Sequence, residues 1–274
     1  MTARHRGGKL KALILAFCNQ KGGVGKTTTT FHVARAAVLR DLRVLLVDMD
    51  PQGNLTKISS REKVEVRQLG VADVLTEDSE YELGDVIVEG RWDGLSLAPT
   101  SGRKLINVRN ELVAASMGRE LRLRKALEAV QDEYDLILID CPPSVDLLTI
   151  NALAGASEAV IITESSLFGA DGIGQLLSTI DDVREYFHPE LEVTGAIVNN
   201  HDAQTVSGGE WLQTLRGKVN VLEPVIPRRV VIKDASQAGI GLDEWSGNTR
   251  AHLTAALYAE LLPALIGEHN VAPA

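Results

Sequence analysis

The sequence is poor in cysteine and has no long hydrophobic run. Its two cysteines, Cys18 and Cys141, form neither a CxxC pair nor a metal-ligand spacing, so a disulfide framework, an iron–sulfur cluster and a zinc site have no support. No stretch approaches the ~20 apolar residues of a membrane span. The basic amino end, MTARHRGGKLK, precedes an apolar run too short for a secretory signal. We therefore expect a cytoplasmic protein.

Aromatic residues are also scarce, at 4% of a chain that is 45% apolar. The interior must then consist of Val, Ile, Leu and Ala, which suits buried parallel strands covered by helices. Apolar runs alternate with amphipathic stretches, without a linker or an internal repeat. We predict a single α/β domain at 12–267 with a doubly wound, mainly parallel sheet, between a basic extension at 1–11 and a flexible tail at 268–274.

The apolar and amphipathic runs also place the individual elements. The polar, acidic stretch 59–93 is predicted to be an excursion from the sheet edge. Strands are predicted at 12–17, 43–47, 95–98, 136–139, 159–163, 193–198 and 219–222. Helices are predicted at 26–40, 119–130, 146–154, 172–186 and 249–266.

A glycine-rich loop follows the first predicted strand and opens the first predicted helix. Residues 20–27 read QKGGVGKT, which matches the phosphate loop GxxxxGK[ST] except that Gln20 replaces its first glycine. Glycines let backbone N–H groups turn towards phosphate oxygens, and the helix adds its positive end. Lys26 is expected to neutralise the β- and γ-phosphates and Thr27 to bind Mg²⁺. The predicted nucleotide contacts here are Lys21, Gly22, Gly23, Val24, Gly25, Lys26, Thr27 and Thr28.

Carboxylates end two further predicted strands. Asp140 closes LILID, a position from which a carboxylate can hold magnesium through water. Asp48 and Asp50 end LLVDMD, and the PQGN that follows is typical of a turn that acts as a mobile switch. We predict that Asp50 orients the attacking water and that Asp48, like Thr27 and Asp140, supports the magnesium shell.

The loop carries a second lysine, Lys21, that binding of one nucleotide in one subunit does not need. Taken alone, it is either a solvated loop lysine or a residue with another target.

With these motifs assembled, the chain resembles the ParA branch of the ParA/MinD family of deviant Walker P-loop ATPases. The resemblance rests on KGGVGKTTT, VDMDPQGN, LILIDCPPSVDLLTINAL, GADGIGQLLSTIDDVRE and IPRR. It implies an ATP-bound homodimer in which Lys21 reaches the partner's nucleotide, with Asp50 as the hydrolytic aspartate and Asp140 on the magnesium side. It also implies that the base is held by Asn199 or Asn200 together with Pro227 and Arg229.

The same resemblance implies that the ATP-bound dimer binds DNA without sequence preference and that a ParB-type partner stimulates hydrolysis. Hydrolysis is expected to be slow, because no built-in arginine finger is evident. The net charge of −9 argues against a wholly basic nucleic-acid binder, but 216–233 carries five basic residues and one acid. This segment is either a DNA contact or solvated surface. The candidates are Arg216, Lys218, Arg228, Lys233 and Arg250, or Arg4, Arg6, Lys9 and Lys11 at the amino end.

Other functions remain open at this point. A MinD-like membrane switch needs a basic amphipathic tail, whereas the tail LLPALIGEHNVAPA has no Lys or Arg. A cluster carrier needs paired cysteines, and a tyrosine kinase of related fold has a Tyr-rich tail, which this chain lacks. A scaffold switched by binding alone does not need Asp50 and Asp140. The prediction is thus DNA partition of a plasmid or chromosome, with positioning of a protein cargo or a MinD-like role as the alternative.

Overall fold

A computed structural model describes residues 11–65, 67–165, 167–203 and 205–267 of the chain. The predicted tail at 268–274 lies outside these residues, and so does the predicted basic extension except for Lys11. Eight strands of the described part form one sheet in the order β3-β4-β2-β5-β1-β6-β7-β8. They are β1 Leu13–Cys18, β2 Val44–Asp48, β3 Val88–Glu89, β4 Leu95–Ala98, β5 Leu136–Asp140, β6 Glu158–Glu164, β7 Glu192–Asn199 and β8 Val221–Leu222.

All neighbouring strands pair in parallel except β3 with β4, which are antiparallel. The central strands are buried along their whole length, as expected for a sheet with helices on both faces. This is the predicted doubly wound α/β fold, and the fold class is confirmed.

Eleven α-helices of the described part cover the two faces. Buried side chains of α1, α2, α10 and α11 belong to the core on one face, and those of α3 to α9 belong to the core on the other. The helices are α1 Lys26–Val38, α2 Asn54–Ser59, α3 Val71–Leu75, α4 Leu83–Val86, α5 Arg103–Ala114, α6 Arg122–Glu128, α7 Leu147–Gly155, α8 Leu167–Tyr186, α9 Val206–Arg216, α10 Val230–Ala238 and α11 Thr249–Ile266.

All seven predicted strands and the five predicted helices are present, with ends displaced by a few residues. The stretch 59–93 does lie at the sheet edge, where it forms α3, α4 and the two-residue β3. The predicted helix at 119–130 is a 3₁₀ turn, Arg119–Leu121, followed by α6. Helix α3 lies within the piece GVADVLTE, which is helix-like in the sequence, whereas helices α2, α4, α5, α9 and α10 were not predicted. Of these, α10 buries Val231, Ile232 and Ala235 at helical spacing, a pattern that identifies it once the fold is known.

The strand register brings the functional strand ends to one edge of the sheet. Asp48 at the end of β2 is the register partner of Asp140 at the end of β5, and Asp140 also pairs with Phe17 of β1. The loop between β1 and α1 therefore begins beside both carboxylates. In open α/β sheets this carboxyl edge is where ligands bind.

Candidate functional site

The glycine-rich loop has a backbone conformation that favours glycine at two positions. Gly23 and Gly25 have φ of 80° and 90°, in the left-handed region. At Gly25 a Cβ would lie 2.8 Å from the amide nitrogen of Asn199, so a side chain has neither the conformation nor the space. Asn19 connects the loop to strand β6. Its amide donates to Ile162 O at 2.6 Å, and its Oδ1 accepts the Lys21 N–H at 2.9 Å.

Gln20, which replaces the first glycine of the generic loop, is tied to a neighbouring helix. Its side-chain amide donates to the carbonyl of Gly172 in α8 at 3.1 Å. The departure from the generic motif thus links the loop to α8.

Lys26 points its ammonium into the loop. The Nζ donates to the Lys21 carbonyl at 3.1 Å, and only 6% of the residue is exposed. Burial lowers the pKa of Lys26, and the nearby Asp140 opposes that shift. A cation in this position can donate to a phosphate oxygen held by the loop.

Thr27 and Asp140 bring two oxygen-bearing side chains together beside the loop, and both could serve as metal ligands. The Thr27 hydroxyl donates to Asp140 Oδ2 at 2.6 Å. Asp140 is fully buried, and its Oδ1 has no hydrogen-bond partner among the described residues. Burial, followed by the negative charge of Asp48, raises the pKa of Asp140 well above its usual range.

These donors fit magnesium. Mg²⁺ prefers oxygen ligands and is commonly bound through one or two carboxylates plus substrate phosphates. The buried Oδ1 of Asp140, left without a partner, is the kind of atom that a cation or its water would satisfy. In the described part of the chain no group of three or more His, Cys, Asp or Glu side chains could hold a metal ion. The remaining ligands of a cation here would come from phosphate and water.

Asp48 fastens the start of the segment that follows β2. Its Oδ2 accepts the Thr56 N–H at 2.8 Å and the Thr56 hydroxyl at 2.7 Å, and its Oδ1 accepts the Asp50 N–H at 3.2 Å. Burial raises the pKa of Asp48 to about 7. Its place in a magnesium shell stays a prediction; what the structure gives it is an anchoring contact with α2.

Asp50 lies at the border of a cavity of about 810 Å³ and is 8% exposed. Its Oδ1 accepts the Gln52 N–H at 2.9 Å, and its carbonyl accepts the Gly53 N–H at 2.9 Å, which closes a tight turn over PQGN. The cavity runs from the glycine-rich loop across the start of α1 to α2 and α10. Lining residues include Gly22, Gly23, Gly25, Lys26, Thr27, Thr28, Asp50, Asn54, Lys57, Asn199, Asn200, Ile226, Arg229, Ile232 and Lys233.

Lys21 is held within its own subunit in this structure. Its Nζ forms an ion pair with Glu164 Oε2 at 3.1 Å, and the two side chains are 35% and 23% exposed. The other carboxylate oxygen of Glu164 accepts the side-chain amide of Asn200 at 2.7 Å. Glu164 therefore connects Lys21 to the end of β7.

Of the four residues predicted to contact the nucleotide base, three line the cavity, and their side chains also form hydrogen bonds with other protein groups. The amide of Asn199 donates to Val24 O and to the Thr29 hydroxyl, both at 2.9 Å, while its buried Oδ1 has no partner among the described residues. Asn200 has a left-handed φ of 51° and donates to Glu164. The guanidinium of Arg229 donates to Thr254 of α11 at 2.6 Å and to Arg250 O.

Pro227, the fourth, forms an isolated bridge with His201 beside Asn200. The contacts of all four residues with a base stay predictions.

Comparison with known proteins fixes the class of this site. The family described as AAA domain matches residues 12–193. The sporulation initiation inhibitor protein Soj of Bacillus subtilis is 39% identical over 228 residues, which are 82% of this chain and 88% of Soj. The chromosome partitioning protein ParA of Myxococcus xanthus is 34% identical and matches 85% of this chain and 82% of its own. The chain belongs to the ParA/MinD family of P-loop ATPases.

A solved structure of a protein similar to this ParA/MinD-family chain contains an ATP analogue and magnesium, the two ligands that fit the site described above. Cobyrinic acid a,c-diamide synthase of Mycobacterium smegmatis, with bound ATP analogue and magnesium, is 33% identical with a TM-score of 0.73. The match covers 86% of this chain and 97% of the synthase chain.

Among the predicted DNA-contact residues that the structure of this ParA/MinD-family chain describes, Lys233 lines the nucleotide cavity and the others do not. Arg216 is exposed and forms an ion pair with Glu223 at 2.6 Å. Lys218, Arg228, Lys233 and Arg250 are exposed as well. A surface depression is lined by Arg228, Arg229, Trp245, Asn248 and Arg250, among other residues. Arg4, Arg6 and Lys9 fall outside the described residues.

The two cysteines of this ParA/MinD-family chain are core residues. Both are fully buried and free, and burial raises the pKa of Cys18 to about 12 and that of Cys141 well above its usual range. In the described residues no helix is long and apolar enough to cross a membrane.

Three site residues of this ParA/MinD-family ATPase were not predicted from the sequence. Thr56 and Lys57 lie in a helix that was not predicted, and Glu164 meets Lys21 from 143 positions away. Only the polar ending of the apolar run at 159–163 hinted at Glu164.

Proposed function

We propose that this chain is a DNA-partition ATPase that dimerises on binding ATP, binds DNA without sequence preference in that state and is released through hydrolysis stimulated by a ParB-type partner. By family it is a P-loop ATPase of the partition type, and ATP and Mg²⁺ are its ligands. The observation that supports the dimer is Lys21, a second loop lysine that is only partly buried and lies at the surface of the site.

The residues of the site divide the reaction between them. The loop N–H groups and Lys26 bind the β- and γ-phosphates, and Thr27 with Asp140 holds the metal side. Mg²⁺, when bound, neutralises charge on the phosphate oxygens. Asp50, beside the cavity, orients the attacking water. In-line attack then depends on positioning and charge, which is the usual basis of phosphoryl transfer.

The trans role of Lys21 is tested by Lys21→Ala. We expect this variant to bind ATP but to remain a monomer in analytical ultracentrifugation, whereas Asp50→Ala should dimerise and lose about a hundredfold in hydrolysis rate. Normal ATP-dependent dimerisation of Lys21→Ala would show that the second lysine does not act across a dimer. A wild-type rate in Asp50→Ala would remove Asp50 from the reaction.

The alternative is a MinD-like switch or the positioning of a protein cargo. A partition ATPase is distinguished from these alternatives by adding DNA, anionic liposomes and a ParB-type partner to the ATPase assay, singly and together. A partition ATPase is stimulated by DNA with the partner and does not sediment with liposomes. ATP hydrolysis in the absence of any organic acid substrate would also distinguish a partition ATPase from an enzyme such as cobyrinic acid a,c-diamide synthase, which is named for its reaction on an acid.

A further inference from the structure

Lys57 is an exposed lysine on α2 with no assigned role, although it lines the nucleotide cavity together with Asp50. Its Nζ donates to the Gln52 carbonyl at 2.8 Å and lies 3.5 Å from Asn54 Oδ1. No ion pair of Lys57 with a carboxylate occurs among the residues that the structure describes. The ammonium therefore contacts neutral acceptors, and no carboxylate of the described residues neutralises its charge in the cavity that Asp50 also lines.

The peptide between Gln52 and Gly53 connects Lys57 to Asp50. Its N–H end donates to the Asp50 carbonyl at 2.9 Å, and its carbonyl end accepts from Lys57. A hydrogen bond at one end of a peptide polarises it and strengthens the bond at the other end. The preceding N–H, that of Gln52, donates directly to Asp50 Oδ1 at 2.9 Å. The Asp50 carboxylate thus accepts from a turn that the Gly53 N–H closes and to which Lys57 donates from the other side.

The rest of this segment has little freedom to compensate for a lost Lys57. Gly53 has a left-handed φ of 61°, and a Cβ there would lie 3.3 Å from the Thr100 methyl group. Thr56, the residue before Lys57, is fixed by Asp48 on one side and accepts the Thr100 N–H at 2.9 Å on the other. Two contacts of Lys57 reach back from this anchored end to the turn next to Asp50: its backbone N–H donates to the Gly53 carbonyl at 3.1 Å, and its ammonium donates to the Gln52 carbonyl. Only the second depends on the side chain.

We infer that Lys57 is a positioning residue for ATP hydrolysis, which holds the Gln52–Gly53 turn so that Asp50 stays aimed at the attacking water. The inference rests on the proposed hydrolytic role of Asp50. Because the Lys57 side chain is exposed, it contributes little to the core, and removing its charge leaves the fold intact.

The experiment compares Lys57→Met, which keeps an unbranched apolar stem, with Lys57→Arg, which restores a donor and the charge. Steady-state hydrolysis by the full chain with Mg²⁺ and ATP gives kcat and KM, and Lys125→Met on α6 is the control exposed lysine. We expect Lys57→Met to lower kcat about tenfold with KM within about twofold of wild type. Lys57→Arg should recover most of that loss, and Lys125→Met should match the wild type.

Hydrogen exchange of the peptide that contains Gln52 and Gly53 gives a readout independent of catalysis. Faster exchange in Lys57→Met, but not in Lys57→Arg, is expected. A wild-type kcat in Lys57→Met, a changed KM with unchanged kcat, or equal losses in the Met and Arg variants would each overturn the inference. If Asp50→Ala hydrolyses ATP at the wild-type rate, the proposed mechanism itself fails, whatever Lys57 does.

Discussion

At the scale of single residues, Lys21 and Glu164 show how one side chain can belong to two arrangements. The ion pair in this structure holds the Lys21 ammonium at Glu164 within the same subunit. The proposed dimer needs the same ammonium at the partner's nucleotide. Since a cation cannot contact both at full strength, Glu164 and the partner compete for Lys21.

That competition predicts the effect of Glu164→Gln. The variant removes the charge that holds Lys21, and partly exposed ion pairs contribute between 0 and about 1 kcal/mol, so the ATP concentration for half-maximal dimerisation should fall about threefold. Sedimentation over an ATP series measures it, with Glu192→Gln, an exposed site on β7, as control. An unchanged or higher ATP requirement would mean that the ion pair does not restrain Lys21.

At the scale of elements, α1 joins the phosphate loop to α10 through a buried histidine. The ring nitrogen Nε2 of His32 lies 3.1 Å from the hydroxyl of Ser236, and the ring packs against Phe31 and Tyr258. Burial lowers the pKa of His32 to about 4, so the folded protein keeps this side chain neutral. A histidine in the unfolded chain has a pKa of about 6.5, so as the pH falls it takes up a proton at a higher pH than His32 in the folded protein.

His32 should therefore lower the stability of the folded protein in mild acid, whereas the raised pKa values of the buried Asp48 and Asp140 act in the opposite direction. The contribution of His32 is complete above about pH 6.5 and is lost as the pH falls towards 4, because only the unfolded chain binds the proton in that window. At pH 5 the loss is about 2 kcal/mol in the free energy of unfolding. Urea unfolding at pH 7.5 and pH 5 measures it. Between these two pH values the free energy of unfolding of His32→Gln should fall less, or rise more, than that of the wild type, whereas the exposed His252→Gln should change as much as the wild type. Equal changes in all three proteins would contradict the prediction.

The sequence predicted the elements that have strong periodicity or a motif at their end, and it missed contacts between distant residues. Asp140 and Asp48 could be placed at one sheet edge because parallel strands end together. Nothing local showed that Thr56 would accept the N–H of Thr100, 44 positions on, and so hold a six-residue helix. Such short helices are stabilised by tertiary contacts, which neither propensity nor periodicity reveals.

At the scale of the whole molecule, a chain of net charge −9 binds DNA only if its cations are gathered on one face. Arg228 and Arg250 meet in one depression beside Trp245. The double variant Arg228→Ala, Arg250→Ala should weaken ATP-dependent binding to random-sequence duplex by about tenfold at low salt and reduce its salt dependence by about two counterions. Fluorescence anisotropy over a salt series measures both quantities. The exposed Arg67→Ala is the control, and unchanged affinity with normal dimerisation would place the DNA contact elsewhere.

The edges of the sheet have a further consequence for the proposed dimer. In the described part of the chain the two outermost strands, β3 and β8, are only two residues long. Long open edges invite pairing with other chains, which leads to aggregates. With edges this short, the sheet offers little backbone for lateral pairing, so the proposed dimer would form at the carboxyl ends of the strands and not through the sheet edges.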